Sequence, residues 1–373
     1  MRTTLATRLV ITQLALVIAL KSPPAWAWGS IGHRMIAETA ALLLARNAET
    51  GWGDLLARHR FFLGFYSFVP DAVFRPKDGH KGASEAPTHY FDIDMIIPNE
   101  KPTSNDSKLI EPIPRDYEEA KSFIEGKIGA EKFAKMGVAP WRIQQFQQLA
   151  WDQLKNVAKV AGTYQSGEQS EGDSEKIYYA LYYLGIMSHY SGDATMPYHA
   201  SSDFNGWKVN EGGIHFYFEN DCLDELEPGL SDAVFQSAQK HKKEWLNSWH
   251  AGKAPSSTVV MYVFLDSLLA VEQVSKIDRA KVIIKPSQNT PQTPALRKPP
   301  AIGCKYFRDL LIERLAKGSV LTAFLWNTVT PKDVDFSSAR SLQFSDLHLD
   351  PTYIEPNYSA PTFKDDVPVI WRK

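Results

Sequence analysis

Residues 178–200 read YYALYYLGIMSHYSGDATMPYHA, and this stretch sets both the fold class and the chemistry of the chain. Its first half completes an amphipathic run from Glu175 to Tyr190, the pattern of a helix. His189 and Asp193 stand four residues apart at the end of that run. They therefore share one helix face, with Cβ atoms about 5 to 6 Å apart, close enough to ligate one metal ion. Pro197 stops the helical run, and the turn it forces can bring His199 back to the same cleft. Next comes GGIHFYFEN (212–220), in which His215 and Glu219 repeat the four-residue spacing behind a Gly212-Gly213 turn. Either pair alone reads equally well as a surface ion pair or a core contact. Two such pairs with a histidine between them point to metal binding.

Outward from this stretch, amphipathic runs predict helices over Ile31–Arg46, Tyr117–Phe133, Trp141–Val160, Ala233–Trp249, Ser256–Val274 and Phe307–Trp326. Alternating strand patterns are scarce. The expected fold is mostly α, a single multi-helix catalytic domain over residues 28–328. Polar, proline-containing segments at Ile97–Pro114, Tyr164–Ser174 and Lys285–Pro300 read as loop insertions. From Val329 to Lys373 aromatics mix with prolines without helical period, so an irregular C-terminal extension either drapes over the domain or adds a small β element. The aromatic run FFLGFYSF, Phe61 to Phe68, reads as core packing rather than as a lipid-facing rim.

A chain of 373 residues, 44% hydrophobic and 12% aromatic, can bury a large core. Its first 27 residues depart from that globular pattern. Arg2 and Arg8 accompany an apolar run from Leu9 to Leu20, which Lys21 and Ser22-Pro23-Pro24 close. Ala25-Trp26-Ala27 then offers small residues at the two positions a signal peptidase reads. The run is too short for a membrane anchor, which needs about 20 apolar residues. Residues 1–27 are thus expected to be a cleaved signal peptide, leaving Trp28 as the first residue of a secreted or periplasmic protein. No later stretch is expected to span a bilayer. The formal net charge of −2 becomes −5 when Arg2, Arg8 and Lys21 are lost, and such a surface has no general attraction for nucleic acid. Cys222 and Cys304 fall in a compartment where disulfides persist, and from sequence they read as a possible bridge or as two buried thiols.

Further donors lie upstream: Asp71 in FVPDAVFR (68–75), His89 in PTHYFDID (87–94) and His33 in WGSIGH (28–33). Imidazole and carboxylate ligands together favour zinc, whereas all-oxygen sets favour magnesium or calcium.

The pattern Trp28-Gly29-x-x-Gly32-His33, then Asp71, His89 and His189-xxx-Asp193-xxxxx-His199, resembles the superfamily of bacterial zinc-dependent phospholipases C and the single-strand-specific zinc nucleases of fungi and plants. The likeness runs from Trp28 to Glu219, about half of the chain. It implies three zinc ions: one held by Asp71, His89, His189 and Asp193, a second by His199, His215 and Glu219, and a third by Trp28, His33 and a bridging Asp193. In that superfamily the N-terminal tryptophan binds through its amine and its carbonyl oxygen. The two atoms close a five-membered chelate, and an α-amine of pKa about 7.7 to 8.0 loses its proton to a metal readily. A backbone amide does not.

The resemblance implies an enzyme that hydrolyses phosphodiesters with metal-activated water. Asp71 would be the catalytic residue that accepts a proton from that water, and Asp92 and Asp94 of HYFDID would act behind the ligands or at the substrate. Arg75 resembles a phosphate-contacting arginine of the nucleases. The His215-xxx-Glu219 pair is closer to the phospholipases, and the opening WGxxGH is closer to the nucleases. The favoured expectation is a phospholipase C acting on phospholipid, with transient contact at a membrane surface. The alternative is a nuclease or 3'-nucleotidase acting on single-stranded nucleic acid, and a second alternative is a zinc-binding exported protein without activity. No obligate protein partner is evident.

Overall fold

Helix-forming stretches of the sequence become ten helices of seven residues or more among the residues that the computed structural model describes. Those residues are 28–45, 51–75, 80–97, 101–155, 157, 171–227, 229–331, 334, 336 and 351–363. The helices are α1 (Gly29–Ala45), α2 (Trp52–Arg58), α3 (Arg60–Tyr66), α4 (Tyr117–Ile128), α5 (Ala130–Met136), α6 (Ala139–Leu154), α7 (Glu171–Asp193), α8 (Leu230–Ser248), α9 (Ser256–Ile277) and α10 (Arg308–Thr328). The fold is mostly α, as expected. The proposed signal at 1–27, Arg46, residues 158–160 at the end of a predicted helix, residues 164–170 and much of the tail lie outside the described residues.

The helix α10 is buried over its whole second half, from Leu315 to Thr328, so it forms the centre about which others pack. α1, α7 and α8 lie against it, and α6 lies along α7. α1 buries Ile36, Ala37, Ala40, Leu43 and Leu44 on that side. α9 crosses over the turn that follows α7 and also touches α6. The stretch Ser256–Val282 is long and apolar enough to cross a membrane by length and composition, with mean hydropathy 1.4 over 18 of its residues, contrary to the expectation that no later segment is. In this fold 72% of those 18 residues are buried inside the protein, where a core helix needs the same composition.

Several boundaries differ from the periodic reading, each for a local reason. The run predicted as one helix from Tyr117 to Phe133 is two, α4 and α5, because Gly129 takes φ 86°, a left-handed value that ends the first helix. α6 begins two residues early, with Pro140 in its first turn, where a missing N–H costs nothing. α7 runs on to Asp193 rather than stopping at Tyr190. α2 and α3 had no place in the periodic reading, being only seven residues each. The aromatic run on α3 is split by helical geometry: Leu63 and Tyr66 face the core, whereas Phe61 and Phe65 are 62% and 51% exposed.

All three expected loops carry structure, the end of Tyr164–Ser174 being the first turn of α7, which begins at Glu171. Ser104–Leu109 is a 3₁₀ turn closed by a capping box between Thr103 and Asp106. Lys285–Pro300 is a small β insertion: β1 (Ile283–Lys285) pairs antiparallel with β4 (Leu296–Arg297) around an inner hairpin of β2 (Gln288–Asn289) and β3 (Gln292–Thr293). Such short ladders have too few alternating residues to be seen in sequence. The described part of the tail, 351–363, forms no strand and drapes along α6. Arg142 and Gln145 donate to the carbonyls of Ile354 and Glu355 at 2.7 and 2.8 Å, and Gln148 exchanges hydrogen bonds with Thr362. Cys222 and Cys304 are bonded to each other, which resolves the alternative in favour of the disulfide.

Candidate metal centre

Six pieces of chain meet at one end of α7. The last turn of α7 supplies His189 and Asp193, and the Pro197–Ala200 turn behind it supplies His199. α1 brings His33. Asp71 rides on a π turn, Pro70–Phe74, His89 on a 3₁₀ turn, Ala86–His89, and Glu219 on a second π turn, Tyr217–Asp221, just past His215. Single π turns widen the helix by one residue and recur at functional sites. All eight of these side chains belong to residues that are no more than 7% exposed.

The donor atoms are crowded. His89 Nδ1 lies 2.9 Å from His189 Nε2 and 3.0 Å from Asp193 Oδ2. Asp71 Oδ1 is 3.8 Å from both of those ring nitrogens. On the other side His199 Nε2 and His215 Nε2 are 3.3 Å apart, and Glu219 Oε2 is 2.8 Å from His215 Nε2. His33 Nε2 sits 3.5 Å from Asp193 Oδ1, its ring stacked on that of His189 at 3.8 Å. Three groups of donors within mutual reach result: His89, His189 and Asp193; His199, His215 and Glu219; His33, Asp71 and His189. The second is the set expected from sequence, and the first holds three of the four residues expected there, Asp71 falling instead in the third group. The third joins His33 to Asp71 and His189, where the expectation joined it to Trp28 and Asp193. Trp28 is fully buried beside the centre, its indole donating to Gly192 O at 2.8 Å and its backbone N–H to Glu219 Oε1.

The donor set fits a divalent cation. Asp193 Oδ1 and Glu219 Oε2 are buried without a hydrogen bond, although ring nitrogens stand close by. Buried carboxylate oxygens left in that condition are costly, and a cation between them and the imidazoles removes the cost. Burial pushes the Asp193 carboxyl well above its ordinary value, with the Asp71 and Glu219 charges adding to it. Burial first, then neighbouring positive groups, holds His89, His189 and His199 well below theirs. Both effects favour the neutral imidazole that a metal requires, and a metal would in turn favour the ionised form of Asp193.

The outer ring nitrogens are anchored. His189 Nδ1 pairs with Ser67 O at 2.8 Å, His199 Nδ1 with His89 O at 2.9 Å, and His215 Nδ1 with Phe204 O at 2.7 Å. Arg297 fixes the Gly212-Gly213 turn ahead of His215 by donating to the Glu211 and Gly212 carbonyls at 2.6 and 3.1 Å, while Asp278 holds its guanidinium. Gly137, at the end of α5, lets the chain just after His89 pass closely, since a Cβ there would lie 2.2 Å from Tyr90 O.

Of the residues expected at the substrate, Arg75 reaches the centre, with Nη1 3.3 Å from Asp71 Oδ1. Asp94 instead accepts from Ser202 N and Oγ, at 3.0 and 2.8 Å, and so braces the chain after His199. Asp92 is buried, and burial with the Asp94 charge raises its carboxyl to about 8. Sequence reasoning missed Glu85, whose Oε1 is 3.5 Å from His89 Nε2, and its buried partner Arg142 at 2.9 Å. The Glu85-xxx-His89 spacing was a signal for it, obscured by Pro87.

The fold and site together define a mostly α protein with a buried histidine–carboxylate centre able to take metal ions. No protein-family model matches the chain, and no curated protein matches it. Among solved structures it resembles the alpha toxin from Clostridium absonum at 14% identity and a TM-score of 0.39, over 81% of this chain and 64% of the toxin's. The chain thus spans less than two thirds of that protein's length, and a likeness at this level says nothing of chemistry.

Proposed function

We propose that the chain is an exported, zinc-dependent phosphodiester hydrolase, and specifically a phospholipase C that frees a phosphorylated headgroup. The observation that carries this reading is the closeness of three buried donor groups, with Asp193 a member of one and within 3.5 and 3.6 Å of a histidine in each of the others. Closely spaced zinc ions lower the pKa of bound water and stabilise both the attacking and the leaving oxygen of an in-line displacement at phosphorus. Residues 28–328 would form the catalytic domain and 329–373 an extension, of which the described segment 351–363 packs against α6.

The protein's own groups then have distinct tasks. His89, His189, His199, His215 and His33, with Asp71, Asp193, Glu219 and, after cleavage, the Trp28 amine, would hold the metals, whose charge would make the site locally positive on a mildly acidic protein. Asp71, at 7% the most exposed of the three carboxylates, would accept a proton from the metal-activated water. Arg75 beside it, with its side chain 26% exposed, can turn from Asp71 toward a phosphoryl oxygen. Zinc is favoured by the mixed imidazole and carboxylate donors, and phospholipid by the His215-xxx-Glu219 ending.

Product analysis tests the reading. Zinc-replete protein is incubated with phosphatidylcholine vesicles and single-stranded DNA together. Release of phosphocholine and diacylglycerol, with the DNA intact, is expected. Nucleotides from the DNA with no lipid product would establish the nuclease reading instead, and no product from either substrate would leave a zinc-binding protein.

A further inference from the structure

Four histidines of the centre can be compared by what their outward nitrogen meets. His189, His199 and His215 each present Nε2 inward and anchor Nδ1 on a backbone carbonyl, at 2.8, 2.9 and 2.7 Å. His89 is mounted the other way round. Its Nδ1 faces His189 and Asp193, and its Nε2 faces not a carbonyl but the carboxylate of Glu85, 3.5 Å from Oε1.

That carboxylate is held from three sides. Arg142 Nη2 donates to Oε2 at 2.9 Å, Thr88 Oγ1 donates to Oε1 at 3.0 Å, and the Tyr190 hydroxyl also donates to Oε1. Arg142 is itself fixed by Tyr190, by Gln145 and by the Ile354 carbonyl of the C-terminal segment. Glu85 and Arg142 are both 0% exposed at the side chain. A buried ion pair is expensive to desolvate and contributes little net stability compared with apolar residues of the same volume. Its position directly behind a donor of the centre supplies a reason for it.

We propose that Glu85 is a positioning residue of the metal centre: its carboxylate accepts a hydrogen bond from Nε2–H of His89 when metal is bound, closing the present 3.5 Å separation and fixing the tautomer whose Nδ1 lone pair faces the metal. The proposal rests on the metal reading above. Charge behind an imidazole raises the ring's basicity, and carboxylates in this position orient metal-bound histidines. Among the four histidines compared, His89 is then the strongest donor. The tail segment 351–363 gains a part in this arrangement, since its Ile354 carbonyl helps hold Arg142.

The test is zinc affinity, measured by chelator competition on the full chain, alongside thermal melting of the metal-free protein. Glu85→Gln is expected to weaken one zinc by about 10- to 100-fold and to leave the others unchanged. Tyr190→Phe removes one donor to Glu85 but leaves the carboxylate facing His89, and is expected to keep wild-type zinc affinity even if the metal-free protein melts lower. Unchanged affinity in Glu85→Gln overturns the proposal, as does equal weakening in both variants, which marks a merely structural network. Should Glu85→Gln not fold, ring nitrogen NMR of the unaltered zinc-loaded protein decides. A proton on Nε2 of His89 and on Nδ1 of His189, His199 and His215 supports the proposal, and a proton on Nδ1 of His89 overturns it. An unaltered protein that takes up no zinc overturns the metal reading itself, and this proposal with it.

Discussion

At the scale of single residues, Asp193 is the member of the centre with most to lose. Its Oδ2 is shared by His89 and His189, and its Oδ1 faces His33 and His199 at 3.5 and 3.6 Å. Asp193→Asn removes a charge from between two donor groups, so it is expected to cost more zinc than loss of any other single ligand. Metal analysis of Asp193→Asn beside Glu219→Gln checks this; equal losses count against a bridging role. A second residue-scale prediction concerns His59, between α2 and α3 and away from the centre. Burial, with help from Arg58, lowers its pKa from 6.5 to about 4. The unfolded chain therefore takes up a proton first as pH falls, and stability drops from about pH 6.5 down to about pH 4. Melting temperatures in chelator across that window should fall more steeply for the wild type than for His59→Gln. Parallel curves would show that His59 does not contribute to the acid limb.

Among the elements, what could be read in advance depended on how locally each was specified. The His189/Asp193 and His215/Glu219 pairs were legible because a helix turn puts residues four apart on one face. Pro197 marked the bend that brings His199 in. The two π turns were not legible, since a single i→i+5 turn leaves no period to detect. Nor was the β insertion, whose role is to brace the chain before His215 through Arg297. Glu85 was hidden because Pro87 separates it from His89, and the path of residues 351–363 because several of its bonds use backbone carbonyls, which any sequence offers. The disulfide belongs to this scale as well. Cys222 begins the short helix after Glu219, and Cys304 lies just ahead of α10, a separation of 82 residues. Closing a loop of that length restricts the unfolded chain by about 4 kcal/mol. Cys222→Ala/Cys304→Ala is expected to lower stability to denaturant by an amount of that order. An unchanged denaturation midpoint would contradict it.

For the molecule as a whole, the central helix α10 and the helices around it serve to close off a polar cluster that water would otherwise screen. Five imidazoles and three carboxylates in so small a volume oppose folding unless cations join them, so metal and stability are linked. On the proposed reading, Trp28 would tie that centre to export. In the uncut chain its nitrogen is an amide that donates to Glu219 Oε1, and an amide is no zinc ligand. Removal of residues 1–27 would convert it into an amine beside the same carboxylate. The most direct test of the account is therefore a zinc count on two purified proteins, one beginning at Trp28 and one with a single extra residue before it. The account predicts three zinc ions in the first and two in the second. Equal counts would contradict the role of the Trp28 amine, and no zinc in either would contradict the metal centre itself.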